Sequence, residues 1–363
     1  MMYSFRNIDS YIPKEYERVG ALKDKLWFED PKSIDPETSK RVRGLFKPRR
    51  KEAYHPYELF CGNHYGEVAG YCLAKMINMP SCRAELVDVH TEKNPYTRGD
   101  IKHKIGTMVY SRLRNREELI PGKIVVEGLK MDNPEKYEEL SSSSRYYYGD
   151  ANNNNIEIIL ASIENTMKKA GIPSHKIEEV KAKMIQMAIF DCAFGNNDRH
   201  DENWSMSYIG KNRETLDLYP AYDNERVLGL YENLDLISHA VNSEKVPEVS
   251  TEVLTSRIGF PGKPEKVKYY ELLEYLGEHY PEVTKQTIQT ILNNVSSKDV
   301  AQMLSEMEDL PPEYIEFGTL MFSERRKTLE RVLSNIKYNE VSKGMTKTMQ
   351  SQGAKSSLEE VSL

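Results

Sequence analysis

Cysteine is scarce in this chain of 363 residues, and the four that occur lie far apart. Cys61, Cys72, Cys82 and Cys192 show no Cys-x-x-Cys spacing, so a zinc site of that type is excluded. Four thiols are also too few to form a disulfide framework in a chain of this length. We therefore expect reduced thiols that are mostly buried as small apolar side chains.

Long apolar runs are missing as well. No stretch of about 18 apolar residues occurs, as a membrane-spanning helix would require. The first thirty residues carry charges at Arg6, Asp9, Lys14, Glu15 and Glu17 in place of the apolar core of a signal peptide. We expect a cytoplasmic protein with no membrane partner, and export as an effector stays open.

An excess of basic residues is also absent, because the formal net charge is −6. Broad binding to nucleic acid needs a basic surface that displaces counterions from the phosphates. We therefore expect no direct nucleic-acid partner, although a local basic patch at residues 47–51 remains possible on the sequence.

The hydrophobic fraction of 39% is large enough for one core or for two modest lobes, and two lobes are the preferred interpretation. In the first part of the chain, Gly20 precedes alternating apolar residues that end at Phe28, which indicates a turn followed by a strand. The polar segment 29–40, with two prolines, is predicted to be a loop. The remaining pattern predicts strands and one helix: a strand at 42–48 carrying Lys47, a helix within 57–77 carrying Glu67, and strands at 84–89, 106–111 and 123–129.

The composition changes after residue 130. Residues 131–155 are rich in Ser, Tyr and Asn and are predicted to be a flexible connection. Helical periodicity follows, with a clear stop at Gly195 and a capping box at Ser296 and Asp299. The predicted helices span 156–170, 176–193, 266–278, 283–293, 298–307 and 322–337.

These patterns predict an α+β protein with two lobes. Residues 1–130 would form a small, mostly antiparallel sheet carrying one helix, and residues 131–337 a larger helical lobe. Residues 338–363 contain few large apolar side chains and are predicted to be a disordered tail.

The polar stretch after the helix at 176–193 contains the residue types that phosphoryl transfer requires. Asp198 could orient an acceptor hydroxyl, while Asn203 and Asp223 could hold Mg²⁺ through oxygen atoms. His200, on the same loop, is included among the catalytic candidates, although a lone histidine there would be interpreted as a surface residue.

Three residues of the first lobe complete this set. Lys47 could reach nucleotide phosphates from its strand, Glu67 could hold that lysine in place, and Gly20 would let the backbone approach the phosphates. Each residue alone has an ordinary explanation as a turn former or a solvated side chain. Their order along the chain is the specific signal, because it reproduces the arrangement of a kinase.

The two polar blocks resemble a known family. Asp198-Arg199-His200-Asp201-Glu202-Asn203 and Tyr219-Pro220-Ala221-Tyr222-Asp223 are similar to the Asn-x-Asp-x-His-x-x-Asn and Pro-Ala-Tyr-Asp blocks of HipA-like serine/threonine kinases, including the compact CtkA-like members. The segment Leu45-Phe46-Lys47-Pro48 is similar to their lysine strand, and Val125-Val126-Glu127 to their adenine hinge.

The resemblance implies a two-lobed, protein-kinase-like fold related to the phosphoinositide kinases. It implies the cofactors ATP and Mg²⁺, with Asp198 as the catalytic residue and Asn203 and Asp223 as the magnesium ligands. It also implies that Lys47 binds phosphate and that the backbone of Glu127, Gly128 and Leu129 binds adenine. The implied partner is a protein substrate with a Ser or Thr acceptor, and a toxin role with self-phosphorylation and a small antitoxin protein stays open.

Other functions are compatible with the same residues. A phosphoinositide-type lipid kinase would share the Asp-Arg-His-x-x-Asn signature, but no basic run for lipid headgroups follows Asp223. A pseudokinase that binds a nucleotide or an antitoxin would keep the fold without turnover. A metal-dependent hydrolase built on Asp198 and His200 would leave Lys47 unexplained.

Overall fold

The computed structural model describes residues 3–14, 25–36, 38–49, 61–90, 103–141, 154–210, 215–250, 255–263 and 267–359. Gly20 therefore lies outside the described residues, and so does most of the Ser- and Asn-rich segment after residue 141.

The amino-terminal lobe is a six-stranded sheet, with the order β1-β5-β6-β4-β3-β2. Neighbouring strands are antiparallel except for the parallel pair β1 and β5. One helix, α1, follows β4, as the sequence predicts. The elements are β1 (Arg6–Asn7), β2 (Ile12–Lys14), β3 (Leu26–Ile34), β4 (Arg41–Pro48), α1 (Asn63–Met76), β5 (Ala84–His90) and β6 (His103–Tyr110).

The sequence predicted a loop at 29–40, but the first part of this segment is a strand. β3 continues through Pro31 to Ile34, and a turn follows it. Proline interrupts the hydrogen bonds of a strand, and it is tolerated at a bulge. The pairing of β3 with β4 shifts its register between Glu29 and Ile34, which is where Pro31 lies. The bulge therefore accommodates the proline within the strand.

The carboxy-terminal lobe contains a small sheet and the remaining helices. The sheet has the order β7-β8-β9, with β7 (Glu117–Pro121), β8 (Ser205–Ile209) and β9 (Asp217–Leu218). A short 3₁₀ turn lies at Val227–Gly229. The helices are α2 (Gly122–Asp132), α3 (Pro134–Ser141), α4 (Ile156–Lys169), α5 (Ser174–Phe194), α6 (Leu234–Asn242), α7 (Val246–Glu248), α8 (Tyr269–His279), α9 (Pro281–Asn294), α10 (Ser297–Ser305) and α11 (Pro312–Glu359).

Helix α2 corrects the predicted strand at 123–129. Val125, Val126 and Leu129 are buried and follow helical spacing, and α2 packs against α4. The β-branched residues that suggested a strand are compatible with a helix when tertiary packing buries one face. The chain passes between the lobes at residues 111–116, so the predicted boundary at residue 130 falls too late.

Most helix predictions of the second lobe are confirmed. Helices α4, α5, α8, α9 and α10 begin and end within a few residues of the predicted limits. Gly195 ends α5 with φ of 81°, and Ser296 and Asp299 form the predicted capping box. The last helix is longer than predicted, since the backbone of 338–359 continues α11 where the sequence predicted a disordered tail.

Two groups of buried apolar residues hold the molecule together. One face of the larger sheet forms its own small core, which includes Phe28, Phe46 and Met108. Residues of α1, such as Leu73, belong instead to the main core that continues through the helical lobe. Helix α1 therefore joins the two lobes. Within the described part of the chain, no helix is both long and apolar enough to cross a membrane.

Candidate active site

A buried lysine lies between two carboxylates at the junction of the lobes. Lys47, on β4, donates hydrogen bonds from Nζ to Oε1 of Glu67 on α1 and to Oδ1 of Asp223. Only 4% of Lys47 and 2% of Glu67 is exposed to solvent. A buried charge is tolerated only when it is paired, so these three residues are fixed as one unit. The sequence predicted this pairing of Lys47 with Glu67, but not the direct contact with Asp223.

The second oxygen of Glu67 fixes the segment that carries Asp223. Glu67 Oε2 accepts a hydrogen bond of 3.0 Å from the backbone N–H of Asn224. Asp223 itself has φ of 58°, in the left-handed region that Asp enters more readily than most residues. Glu67 therefore positions both the lysine and the backbone beside the acidic residue.

Charge pairing dominates the titration of this cluster. Burial by itself lowers the pKa of Lys47, but the carboxylates of Asp223 and Glu67 outweigh burial and raise it well above its usual value. Burial by itself raises the pKa of Asp223, and the Lys47 ammonium outweighs it and lowers the pKa well below the usual range. Both groups are therefore charged across the physiological pH range.

Two glycines of α1 permit this close approach. A Cβ atom on Gly66 would overlap the backbone carbonyl of Glu225, and one on Gly70 would lie 2.5 Å from Cβ of Asn224. Glycine within a helix costs about 1 kcal/mol relative to alanine, so it needs a packing reason. Here the reason is contact between α1 and the segment that follows Asp223.

Arg199 is the central residue of the polar loop at 196–203, which follows α5. Its guanidinium donates to both carboxylate oxygens of Asp191 at 2.9 and 3.1 Å, and to Oδ1 of Asn224 at 2.7 Å. It also donates to the backbone carbonyls of Asn203 and Tyr222. Only 1% of Arg199 is exposed. It therefore holds the end of α5, the loop and the residue before Asp223 in one arrangement.

The loop residues take different positions around this arginine. The side-chain nitrogen of Asn203 donates to the backbone carbonyl of Asp198 at 2.7 Å, so the amide oxygen is the atom that can meet a cation. Asp198 is partly buried and lies beside Arg226 and Arg257, at 3.2 and 3.7 Å. His200 accepts at Nδ1 a bond of 3.2 Å from the backbone N–H of Glu202. Its ring therefore stabilises the loop turn.

The acidic residues near Lys47 have the donor atoms that a magnesium ion requires. Carboxylate oxygens of Glu67, Asp223 and Glu225 lie within 4.8 Å of one another. Mg²⁺ prefers hard oxygen ligands, and it is usually held by one or two carboxylates together with phosphate oxygens and water. The residues present fit such an ion, with Asn203 fixed next to this segment through Arg199.

The residues of the predicted adenine hinge, 127–129, lie within a helix. Glu127, Gly128 and Leu129 are in the middle of α2, where backbone N–H and C=O groups bond within the helix. The connection between the lobes is Ser111–Arg116, which leaves β6 next to the lysine strand. It is anchored by a bond of 2.8 Å from the N–H of Arg112 to the hydroxyl of Tyr219.

A cavity of about 610 Å³ lies against this connection, between Arg112 and Arg114 on one side and Lys183 and Leu216 on the other. Its lining includes none of the residues that surround the buried lysine, and it does not include Asp198. It therefore borders the connection between the lobes, and it does not reach the cluster of Lys47, Glu67 and Asp223.

Sequence reasoning named most of the residues that the structure brings together. Lys47, Glu67 and Asp223 are in direct contact, and Asp198 and Asn203 share a loop tied to the same segment. It assigned no role to Arg199, Asp191 or the two glycines of α1. The spacing of Gly66 and Gly70, four residues apart in a helix, was the available signal for a close backbone contact.

The fold that carries this site is similar to that of a solved kinase structure. It is an α+β, kinase-like fold, as the sequence resemblance implied. Among solved structures, the chain is similar to the proinflammatory kinase CtkA of Helicobacter pylori, with a TM-score of 0.68 and 15% identity, over 92% of this chain and 97% of that chain.

Two more distant structures complete the comparison. The HipA of Shewanella oneidensis MR-1, in a complex with HipB and operator DNA, has a TM-score of 0.46 and 13% identity, over 90% of this chain and 67% of that chain. The Fam20 of hydra, with sugar, has a TM-score of 0.37 and 12% identity, over 86% and 81% of the two chains. No protein-family model and no curated protein matches the chain by sequence.

Proposed function

We propose that the protein is a kinase that uses ATP and Mg²⁺ to phosphorylate Ser or Thr hydroxyls of a protein substrate. The observation that carries this proposal is the buried contact of Lys47 with Glu67 and Asp223, together with its connection through Arg199 to the Asp198–Asn203 loop. Phosphoryl transfer depends on positioning and on neutralising phosphate charge, and the cluster supplies groups for both.

Each residue has a role that follows from its position. Lys47 would pair with the nucleotide phosphates, and Glu67 would hold its ammonium group in place. Asp223 and the amide oxygen of Asn203 would hold Mg²⁺, which neutralises phosphate charge when it is bound. Asp198 would orient the acceptor hydroxyl and receive its proton. His200 would support the loop that carries both Asp198 and Asn203.

The nucleotide base has a different site from the one the sequence implied. We assign adenine recognition to the backbone of residues 111–114, because this segment leaves β6 beside the lysine strand and joins the two lobes. Gly20 lies outside the described residues, and its role remains a proposal: the absence of a side chain there would let the backbone approach the phosphates closely.

A matched pair of variants tests the catalytic assignment. Asp198→Asn should lower transfer from γ-labelled ATP, to itself and to Ser/Thr peptides, at least about 100-fold, as expected for loss of a general base. Its affinity for ATP with Mg²⁺ should stay within a factor of about three, because the base is not a phosphate ligand. Glu202→Gln is the control, since Glu202 lies on the same loop and is exposed.

Three results would contradict this function. Full transfer by Asp198→Asn would remove Asp198 from the mechanism. Label appearing in phosphoinositide vesicles rather than in protein would indicate a lipid kinase. Thermal stabilisation by ATP without any turnover would indicate a pseudokinase.

A further inference from the structure

Both carboxylate oxygens of Asp198 face a guanidinium. Nε of Arg226 lies 3.2 Å from Oδ2, and Nε of Arg257 lies 3.7 Å from Oδ1. A carboxylate that orients an acceptor hydroxyl needs an oxygen for that hydroxyl. The hydroxyl competes with the arginine beside the oxygen that it uses, so it binds more readily where that arginine is more easily displaced.

Arg226 is the arginine that is held in place beside Asp198. It also donates from Nη1 to Oδ1 of Asn197 at 3.3 Å, and its guanidinium lies 4.2 Å from the centre of the Tyr231 ring. Its side chain is 24% exposed. Three contacts on a mostly buried side chain fix its position beside Oδ2.

Arg257 has the opposite properties. Its side chain is 59% exposed, and Asp198 is its only partner among the residues that the structure describes. The separation of 3.7 Å is longer than a hydrogen bond between nitrogen and oxygen. Exposed ion pairs of this kind are weak, so another anion can replace Asp198.

The backbone around Arg257 is fixed although its side chain is exposed. The N–H of Ser256 donates to the carbonyl of Val267 at 2.7 Å, and the N–H of Gly259 donates to the carbonyl of Asn154 at 2.9 Å. Ile258 is buried in the main core. The guanidinium can therefore swing away from Asp198 without any movement of the loop.

We propose that Arg257 selects acceptor peptides that carry an acidic side chain close to the Ser or Thr. The peptide carboxylate pairs with Arg257, and Oδ1 of Asp198 becomes available to the acceptor hydroxyl. Because Arg257 lies next to Asp198, the acidic residue falls within about three residues of the acceptor, at about 3.3 Å per extended residue. This inference rests on the proposed function.

A positional library of Ser and Thr peptides tests the selection. The wild-type protein should prefer Asp or Glu over Asn or Gln within three residues of the acceptor by about fivefold, the factor expected of one exposed ion pair. Arg257→Gln should reduce this ratio to about one, and Arg257→Glu should shift the preference to Lys or Arg. Lys263→Gln should keep the wild-type ratio, because Lys263 is an exposed residue of the same loop that pairs with Glu271.

The readout is a ratio within one protein, so a change in total activity or folding does not affect it. A wild-type protein without acidic preference, or a preference that survives in Arg257→Gln, overturns the inference and leaves the proposed function intact. Absence of transfer from the wild-type protein to every peptide and to itself refutes the proposed function, and the inference with it.

Discussion

Gly66 of α1 packs directly against the backbone carbonyl of Glu225, with no room for a side chain between them. This contact places α1 against the segment that carries Asp223. Glu67, the next residue of the helix, then reaches both Lys47 and the N–H of Asn224. The position of the buried lysine thus depends on a glycine, which has no side chain of its own.

Gly66→Ala should lower the transfer rate at least about tenfold, since displacements near 1 Å at a catalytic site cost up to about 100-fold. Overpacking should lower the free energy of unfolding by about 1–3 kcal/mol. The higher helix propensity of alanine should offset about 1 kcal/mol of this loss. Urea denaturation and a transfer assay measure the two effects.

The matched control is Gly128→Ala on α2, where a Cβ would meet nothing within 4 Å. It should be neutral or stabilising by up to about 1 kcal/mol. Equal changes in stability and transfer rate in the two alanine variants would contradict the packing role of Gly66. Loss of ATP binding in Gly128→Ala would support the adenine hinge that the sequence implied at residues 127–129.

Lys47→Met should lower kcat/KM for phosphoryl transfer at least about 100-fold, because the variant loses the cation that pairs with the phosphates. It also leaves the buried Glu67 and the partly buried Asp223 beside each other without the ammonium group between them, which should destabilise the fold by about 3–5 kcal/mol. Lys75→Met is the control, since Lys75 is an exposed residue of α1, the helix that carries Glu67. Retention of activity within tenfold in a folded Lys47→Met protein would show that Lys47 does not bind phosphate.

Arg199→Leu should destabilise the protein by about 3–5 kcal/mol, because the buried carboxylate of Asp191 loses its charged partner and keeps the hydrogen bond from Asn196. Arg199→Lys should recover only part of this loss, since an ammonium cannot reproduce the bidentate contact. The comparison variant is Arg331→Leu, which removes an exposed pair with Glu274 and should cost at most about 1 kcal/mol. Chemical denaturation that finds equal losses for Arg199→Leu and Arg331→Leu would contradict the central role of Arg199.

Acid should destabilise the protein through His64, a buried residue of α1. Burial lowers the pKa of His64 to about 3, whereas an unfolded histidine has a pKa of about 6.5. Below about pH 6.5 the unfolded chain therefore binds a proton that the folded chain does not, and stability falls as the pH falls, by up to about 1.4 kcal/mol per pH unit.

The measurement is the free energy of unfolding at several pH values between 7 and 5. In His64→Gln, the slope of the free energy of unfolding against pH should decrease by an amount that corresponds to up to one bound proton. The slope should not decrease in the control His175→Gln, because His175 is exposed. An unchanged slope in His64→Gln would show that another group causes the acid sensitivity.

Several elements could be predicted from local sequence patterns. Period and capping predicted α5, its stop at Gly195 and the box at Ser296, because these features depend on residues within a few positions of one another. The order of Lys47, Glu67, Asp198, Asn203 and Asp223 also indicated the candidate site, since that order reproduces the arrangement of a kinase.

Other features depend on contacts between segments that are distant in the chain. The segment 123–129 is a helix because packing against α4 buries Val125, Val126 and Leu129, and β-branched residues alone do not reveal that partner. The role of Arg199 also depends on tertiary packing, because its acceptors lie up to 25 positions away in the chain. The contact of Arg257 with Asp198 likewise joins two distant loops. Contacts between distant segments depend on how the helices and sheets pack, and local sequence patterns do not encode that packing.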